Sequence, residues 1–273
     1  MEWKSISELR PAQRDYSGLH YSYEYAKKNK NLEDICAGMG YMDGGYKSVS
    51  VLEAIKIKRD KEKGIVYRVV GRENSDASHK EFDTRFGRYI SDDHGEFGGE
   101  LVTPSGRKIG GNFTNVFDLG DRVYAIDSHA HLTIAGFNLY CFDNGENAIC
   151  IYSSGTLESM LKKDDIIESM HFCAMDIVGE AAYILINGHV ENNQNKGHWY
   201  ETRLLKVEDG RVEEVVRFTG KIQSYVKNII VEGNNLYISC DKMLVVVDLG
   251  TNKTKYYTCI SIEDEKDLEM TNQ

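Results

Sequence analysis

The chain has 273 residues, a mass of 31.0 kDa, and 33 Lys and Arg residues against 43 Asp and Glu, which gives a formal charge of −10. Its 41% hydrophobic and 28% charged residues are typical of a globular protein and exclude a disordered or fibrous one. The negative charge disfavours nucleic acid and anionic membranes, no apolar run approaches the roughly 20 residues of a membrane span, and the first residues lack the pattern of a secretory signal. We therefore expect a cytoplasmic protein.

The two ends of the chain differ from the rest. Trp3, Ile6 and Leu9 have helical spacing, which indicates a short helical or irregular segment at the start. The last residues are rich in Asp, Glu and Lys and are typical of a charged tail. The predicted divisions are an N-terminal segment over 1–18, a single domain over 19–260 and a C-terminal tail over 261–273.

Two groups of predicted strands come first along the domain. Apolar and β-branched residues over 54–59 and 65–70 flank a turn at Gly64 and predict a hairpin. Shorter strand patterns over 88–92, 99–102 and 107–109 predict a compact antiparallel sheet. Both groups fit the four-stranded unit that is more regular in the second half of the chain.

An internal repeat dominates the second half. A glycine between two apolar runs is followed four residues later by a tyrosine, and each such hairpin is followed by a second one that turns at Asp or Asn with Gly. The pattern predicts four antiparallel strands per repeat. The glycine and tyrosine pairs are Gly120 with Tyr124, Gly179 with Tyr183 and Gly233 with Tyr237.

These repeats resemble the divergent β-propeller repeats found in many bacterial proteins, over about half of the chain. The resemblance implies an all-β, β-propeller-like fold of about five four-stranded antiparallel blades, with a sixth left open. It carries no activity with it. The candidate blades begin near Leu19, Phe82, Phe113, Met170 and Tyr225.

A propeller brings the connections between the second and third strands of its blades together at one end. In this chain those predicted connections are rich in histidine and carboxylates, which suit a surface for a basic protein partner. The predicted partner-binding residues are Asp92, Asp93, His94, Glu96, Asp127, His129, His131, His189, Glu191 and Asp241.

The same residues allow a second interpretation. His129 and His131 are two positions apart, so both imidazoles would lie on one side of an extended segment, with Asp127 as a further metal ligand or an acceptor. The sequence contains neither a C-x-x-C pair nor an H-E-x-x-H motif, and no nucleophile has a recognisable base. We expect no bound metal or other cofactor.

Three classes of function are compatible with these features. The first is a monomeric, acidic binding module without catalysis, such as an immunity-type inhibitor of a basic, nuclease-like toxin domain; acidity complements a partner that binds nucleic acid. The second is a metal-assisted hydrolase or lyase that uses the histidine-rich end. The third is a scaffold subunit of a larger assembly. We favour the binding module.

Overall fold

The computed structural model describes residues 3–11, 54–70, 79–93, 98–131, 134–154, 166–192, 197–219, 226–240 and 243–258. Within these ranges the chain forms twenty strands and one 3₁₀ helix. It divides into two compact units, which we call the central unit (Ser75–Lys221) and the terminal unit (Met1–Asn74 with Ile222–Gln273). The predicted strands near Leu19 and the predicted charged tail lie outside the described residues.

Three four-stranded antiparallel sheets form the central unit, and in each sheet the strands pair in the order of the sequence. The prediction of an all-β fold built from blade-like sheets is confirmed. The strands are β5 (His79–Thr84), β6 (Gly87–Asp93), β7 (Gly99–Val102) and β8 (Lys108–Gly110); β9 (Phe113–Leu119), β10 (Arg122–His131), β11 (Ile134–Asp143) and β12 (Asn147–Ser154); and β13 (Ile166–Val178), β14 (Ala181–Asn192), β15 (Gly197–Glu208) and β16 (Arg211–Thr219).

The terminal unit contains a five-stranded and a three-stranded sheet. β2 (Arg10–Pro11) pairs with the last strand of the five-stranded sheet, and β1 (Lys4–Ser5) is an edge strand of the three-stranded sheet. The N-terminal segment therefore contributes one strand to each of the two sheets. The other strands of the five-stranded sheet are β17 (Val226–Glu232), β18 (Asn235–Cys240), β19 (Met243–Asp248) and β20 (Lys253–Thr258), and those of the three-stranded sheet are β3 (Ala54–Asp60) and β4 (Gly64–Val70).

The helix predicted near the N-terminus is a single 3₁₀ turn over Ile6–Glu8. The Ser5 side chain accepts a hydrogen bond from the Ser7 backbone N–H, and the Glu8 carboxylate accepts one from the Ser5 backbone N–H. The turn stays short because the residues on either side of it are held in strands β1 and β2.

The repeated glycines explain the matching hairpins. Gly120, Gly179 and Gly233 have φ angles of 60°, 61° and 58°, and each is the first residue of a two-residue turn. A turn with positive φ only at its first central residue is of type II′, where glycine is strongly preferred because a Cβ atom would be strained. The local sequence therefore determines this turn in all three repeats.

The cores lie between sheets. Along β10, Val123 and Ala125 contact one apolar cluster with Tyr89 of β6, whereas Tyr124 and Ile126 contact another that includes residues of β14. Successive side chains of a strand point to opposite faces, so the middle sheet of the central unit is buried on both sides. In the described part of the chain we find no helix with the length and hydropathy that crossing a membrane requires.

Candidate functional site

One edge of the central unit collects the hairpin turns of all three sheets. In an antiparallel four-stranded sheet the first and last turns lie at the same end, because the direction of the chain reverses at each strand. We call this the turn edge. It consists of the turns at residues 85–86, 103–107, 120–121, 144–146, 179–180 and 209–210 and of the strand residues that flank them.

Hydrogen bonds between sheets hold the turn edge together. The buried Tyr89 hydroxyl donates to the Gly145 carbonyl at 2.7 Å, and the Gly210 N–H donates to the Tyr124 hydroxyl at 3.0 Å. Each tyrosine is the third residue of the second strand of its sheet, and each glycine lies in the outer turn of the next sheet. The turns of neighbouring sheets are therefore fixed relative to one another by a repeated contact.

Charged contacts strengthen the same edge. The Arg85 Nε lies 3.2 Å from the Asp118 Oδ1, and the Ser105 hydroxyl donates to the Glu146 carboxylate at 2.5 Å. Arg107 donates to the Asn147 side chain at 3.1 Å. These side chains connect successive sheets, so part of the polar surface of the edge is used within the protein itself.

Apolar side chains are exposed at the turn edge. Phe86 lies in the first turn and is 39% exposed, and Ile177 and Val178 immediately precede the Gly179 turn with exposures of 43% and 41%. Ile149, which is 59% exposed, is near the start of the outer strand β12. Exposed apolar groups that gather in one region mark interaction surfaces more often than scattered ones do.

Carboxylates surround these apolar groups. Asp143, Glu180 and Asp209 are exposed and make no ion pair with any residue that the structure describes. The Asp121 side chain is 92% exposed and lies 3.7 Å from Arg122. The central unit holds 24 Asp and Glu against 14 Lys and Arg, a charge of −10, whereas the terminal unit holds 19 of each. The negative charge of the chain is thus concentrated in the unit that carries this edge.

The predicted partner-binding site lies at the opposite end of the three sheets, where β6 ends at Asp93, β10 at His131 and β14 at Asn192. We call this end the connection edge. Asp92, in β6, accepts a 2.6 Å hydrogen bond from the His79 Nδ1. That bond is the main reason why the pKa of His79 is raised. Asp93 is half-buried at the end of the same strand. His94, Glu96 and Asp241 lie outside the described residues.

The structure corrects the placement of Asp127. It lies inside β10 and is 8% exposed, where its carboxylate accepts hydrogen bonds from the Asn112 backbone N–H at 2.8 Å and the Asn138 side chain at 3.0 Å. Asp127 was predicted in an exposed connection, but β10 pairs with β11 as far as His131. The carboxylate of Asp127 is therefore already bound by the connection before β9 and by β11.

The remaining predicted residues are also in strands. His129 and His131 belong to β10 and lie two positions apart in an extended segment, as predicted, and His189 and Glu191 belong to β14. The side chains of these four residues lie outside the described part. Among the side chains that are described, no group of three or more His, Cys, Asp or Glu residues has the arrangement of a metal site.

A buried charged cluster was missed by the sequence analysis. The Arg203 side chain, in β15, is 4% exposed; its Nε donates to the equally buried Glu201 carboxylate at 2.6 Å and its two terminal nitrogens donate to Glu168 of β13. Tyr152 of β12 lies 3.3 Å from Arg203, and Ser154 donates to Glu168 at 2.6 Å. The cluster joins two sheets, and its only sequence signal is a Glu-x-Arg pattern before an apolar run.

The ionisation of this cluster follows from its contacts. Burial alone would raise the pKa of Glu168, but the hydrogen bonds from Arg203 and Ser154 outweigh burial and lower it. Burial alone would lower the pKa of Arg203, and the neighbouring carboxylates raise it instead. Both groups are therefore charged at neutral pH, and the arrangement is that of a structural ion pair.

No protein-family model matches the chain, and the curated proteins include no sequence similar to it. The function is therefore inferred from the fold and the geometry described above.

Proposed function

We propose that the protein is a non-catalytic binding module whose turn edge recognises a basic protein. The observation that carries the proposal is that exposed apolar side chains, and carboxylates with no ion pair among the described residues, lie at the same end of the three sheets. Protein interfaces commonly have an apolar centre and a polar rim. At the turn edge Phe86, Ile177 and Val178 supply the apolar part, and Asp143 and Glu180 supply the acidic part.

The edge is also suited to binding because it is held in place before a partner arrives. The contacts of Tyr89 with Gly145 and of Tyr124 with Gly210 fix the turns through buried hydroxyl groups. A surface that is already ordered loses less conformational entropy on association. The net charge of the central unit would in addition accelerate the encounter with a cationic partner.

The partner class we propose is a basic, nuclease-like toxin domain, with this protein as its cytoplasmic, monomeric, immunity-type inhibitor. A domain that binds nucleic acid presents Lys and Arg side chains to phosphates. An acidic edge can accept charge-assisted hydrogen bonds from those same side chains and thereby compete with the substrate. The fold would be that of a divergent bacterial propeller-like repeat protein, which is a frequent scaffold for loop-based recognition.

We favour the turn edge over the connection edge that the sequence indicated. Asp127 is buried and hydrogen-bonded within the central unit, and Asp92 is paired with His79. A carboxylate that already has partners gains less from a new cation than an unpaired one does. Asp143 and Glu180 have no such partners among the described residues.

The test uses the purified full-length protein and basic nuclease domains encoded by genes beside its own. Nuclease activity is measured with increasing amounts of the protein, and association is followed at increasing ionic strength. We expect inhibition by one of these domains, with an association rate that falls steeply with salt, because exposed charges are screened over about 8–10 Å near physiological ionic strength. Lack of inhibition of every such domain at low salt would refute the proposed partner class.

Matched charge reversals identify the edge. Asp143→Lys with Glu180→Lys should slow association at least tenfold and leave the unfolding midpoint nearly unchanged, since both residues are exposed. Asp92→Lys with Asp93→Lys makes the same charge change at the connection edge and should affect association little. If only the second pair weakens binding, the connection edge is the interface and our choice of surface is wrong.

A further inference from the structure

A cavity of about 360 Å³ opens on one face of the five-stranded sheet in the terminal unit. Its volume is near the lower end of the range of roughly 300–1,000 Å³ that is usual for small-molecule sites. Ile6 of the 3₁₀ helix lines one side, and β18, β19, β20 and the turn before β20 supply the other walls. Those other lining residues are Asn235, Tyr237, Val246, Asp248, Thr251, Lys253, Lys255 and Tyr257.

The strand register explains why these side chains converge. Tyr237 lies opposite Val246, which lies opposite Lys255, and these three form one row across the sheet. Asn235, Asp248 and Lys253 form the next row on the same face. Side chains in adjacent rows of one face are neighbours, so two lysines and a tyrosine surround an apolar position.

The polar groups of the cavity are largely unused. Within the described part of the chain, the hydroxyls of Tyr237 and Tyr257 and the ammonium groups of Lys253 and Lys255 make no hydrogen bond or ion pair. Burial raises the pKa of Tyr237, so its hydroxyl keeps its proton and remains a donor at neutral pH. The cavity therefore presents four donor groups without acceptors.

The acidic residue of the cavity does not neutralise these lysines by direct contact. Asp248 Oδ1 accepts hydrogen bonds from the backbone N–H groups of Thr251 at 2.8 Å and Gly250 at 3.0 Å, and from the Asn234 side chain at 3.2 Å. The bonds from the turn lower the pKa of Asp248, which is therefore ionised. With two lysines and one carboxylate, the cavity has a local charge of about +1, which a single carboxylate would balance.

We propose that this cavity binds a small aromatic carboxylate. The ring would lie against Tyr237, Val246 and Ile6, where aromatic and aliphatic groups provide apolar contact. The carboxylate would accept charge-assisted hydrogen bonds from Lys255 and Lys253. The site is independent of the turn edge and of the partner proposed for it.

The experiment titrates the full-length protein with 3-phenylpropionate at low ionic strength, by calorimetry or by NMR. A probe of this size in a partly open site should bind with a Kd of about 1 mM or tighter. The uncharged 3-phenyl-1-propanol should bind at least tenfold more weakly. Equal binding of the alcohol would overturn anion recognition, and phenyl phosphate binding more than tenfold tighter than the carboxylate would overturn the assigned head group.

Substitutions place the probe in the cavity. Lys255→Gln and Lys253→Gln should each weaken 3-phenylpropionate binding about fivefold or more, and Lys255→Arg should restore most of it. Lys61→Gln removes an exposed lysine from the turn between β3 and β4 and should have no effect. Unfolding midpoints establish that each variant is folded. Unchanged affinity in the folded Lys253→Gln, Lys255→Gln double variant would overturn the proposal.

Discussion

Replacing Arg203 with methionine tests the buried charged cluster. Met replaces the aliphatic part of the Arg side chain and fills the apolar part of the space, but it removes the guanidinium. Glu201, whose side chain is 4% exposed, is then left with Arg217 at 3.5 Å, and Glu168 keeps the Ser154 hydroxyl. Removing one partner of a buried ion pair typically destabilises a protein by about 3–5 kcal/mol, because the remaining charge stays buried. We expect Arg203→Met to cost that much.

Arg217→Met is the matched control. Arg217 lies directly opposite Arg203 on β16 and makes two hydrogen bonds with Glu214, at 2.7 and 2.8 Å, but its side chain is 49% exposed. Exposed pairs contribute about 1 kcal/mol or less. In this control Glu201 keeps Arg203. The same chemical change at neighbouring positions should therefore differ severalfold in cost.

Urea unfolding followed by far-UV circular dichroism measures both variants at several pH values. The pKa of Glu168 is lowered in the folded protein. The ionised Glu168 therefore contributes to the free energy of unfolding above the unfolded-state pKa, and this contribution is lost as the pH falls through the folded-state pKa. Without Arg203, burial raises the pKa of Glu168, and only the Ser154 hydrogen bond and the charge of Arg217 oppose it. The loss of unfolding free energy caused by Arg203→Met should therefore become smaller as the pH is lowered from 8 towards 4. A cost no larger than that of Arg217→Met, or one independent of pH, would refute this reasoning.

Two further predictions concern other described contacts. Tyr89→Phe leaves the Gly145 carbonyl without its donor and should cost about 1–3 kcal/mol in urea unfolding. The Tyr183 hydroxyl makes no hydrogen bond in the described ranges, so Tyr183→Phe should change stability by less than about 0.5 kcal/mol. Equal costs would show that the repeated contact is unimportant. The pKa of His79, followed by NMR, should fall in Asp92→Asn. It should fall less in Glu81→Gln, because the Glu81 carboxylate lies 3.7 Å from the His79 imidazole whereas Asp92 makes a hydrogen bond of 2.6 Å. The ion pair exists only while His79 is protonated, so its contribution to stability is lost as the pH rises through the folded-state pKa of His79.

Much of the fold could be predicted because the signals are local. The turns at Gly120, Gly179 and Gly233 depend on the φ angle of one residue. The flanking strands depend on the alternation of apolar and polar residues over a few positions. The tyrosine repeat was recognised in three strands for the same reason. Tyr89 occupies the same third position in β6, but its hairpin turns at Arg85 and Phe86 without a glycine, so the pattern was hidden.

The candidate site was only partly predictable, because it depends on which carboxylates find partners in other strands. Asp127 and Asp143 look alike in sequence, each following an apolar run. The first is buried against Asn112 and Asn138, and the second is exposed at the end of β11, next to a turn. The sequence therefore indicates the edge where Asp127 lies, and it does not distinguish the buried carboxylate from the exposed one.

The sequence by itself determined the strands, the type II′ turns, the antiparallel four-stranded sheets and the acidic character, since these depend on residues close together in the chain or on composition alone. Only the tertiary structure decided how Arg203 is paired, which tyrosine hydroxyls join neighbouring sheets, and where Tyr237, Val246 and Lys255 form a cavity. The physical reason is that burial and pairing depend on contacts between strands that are far apart in sequence, and electrostatic and hydrogen-bond energies change steeply with those contacts.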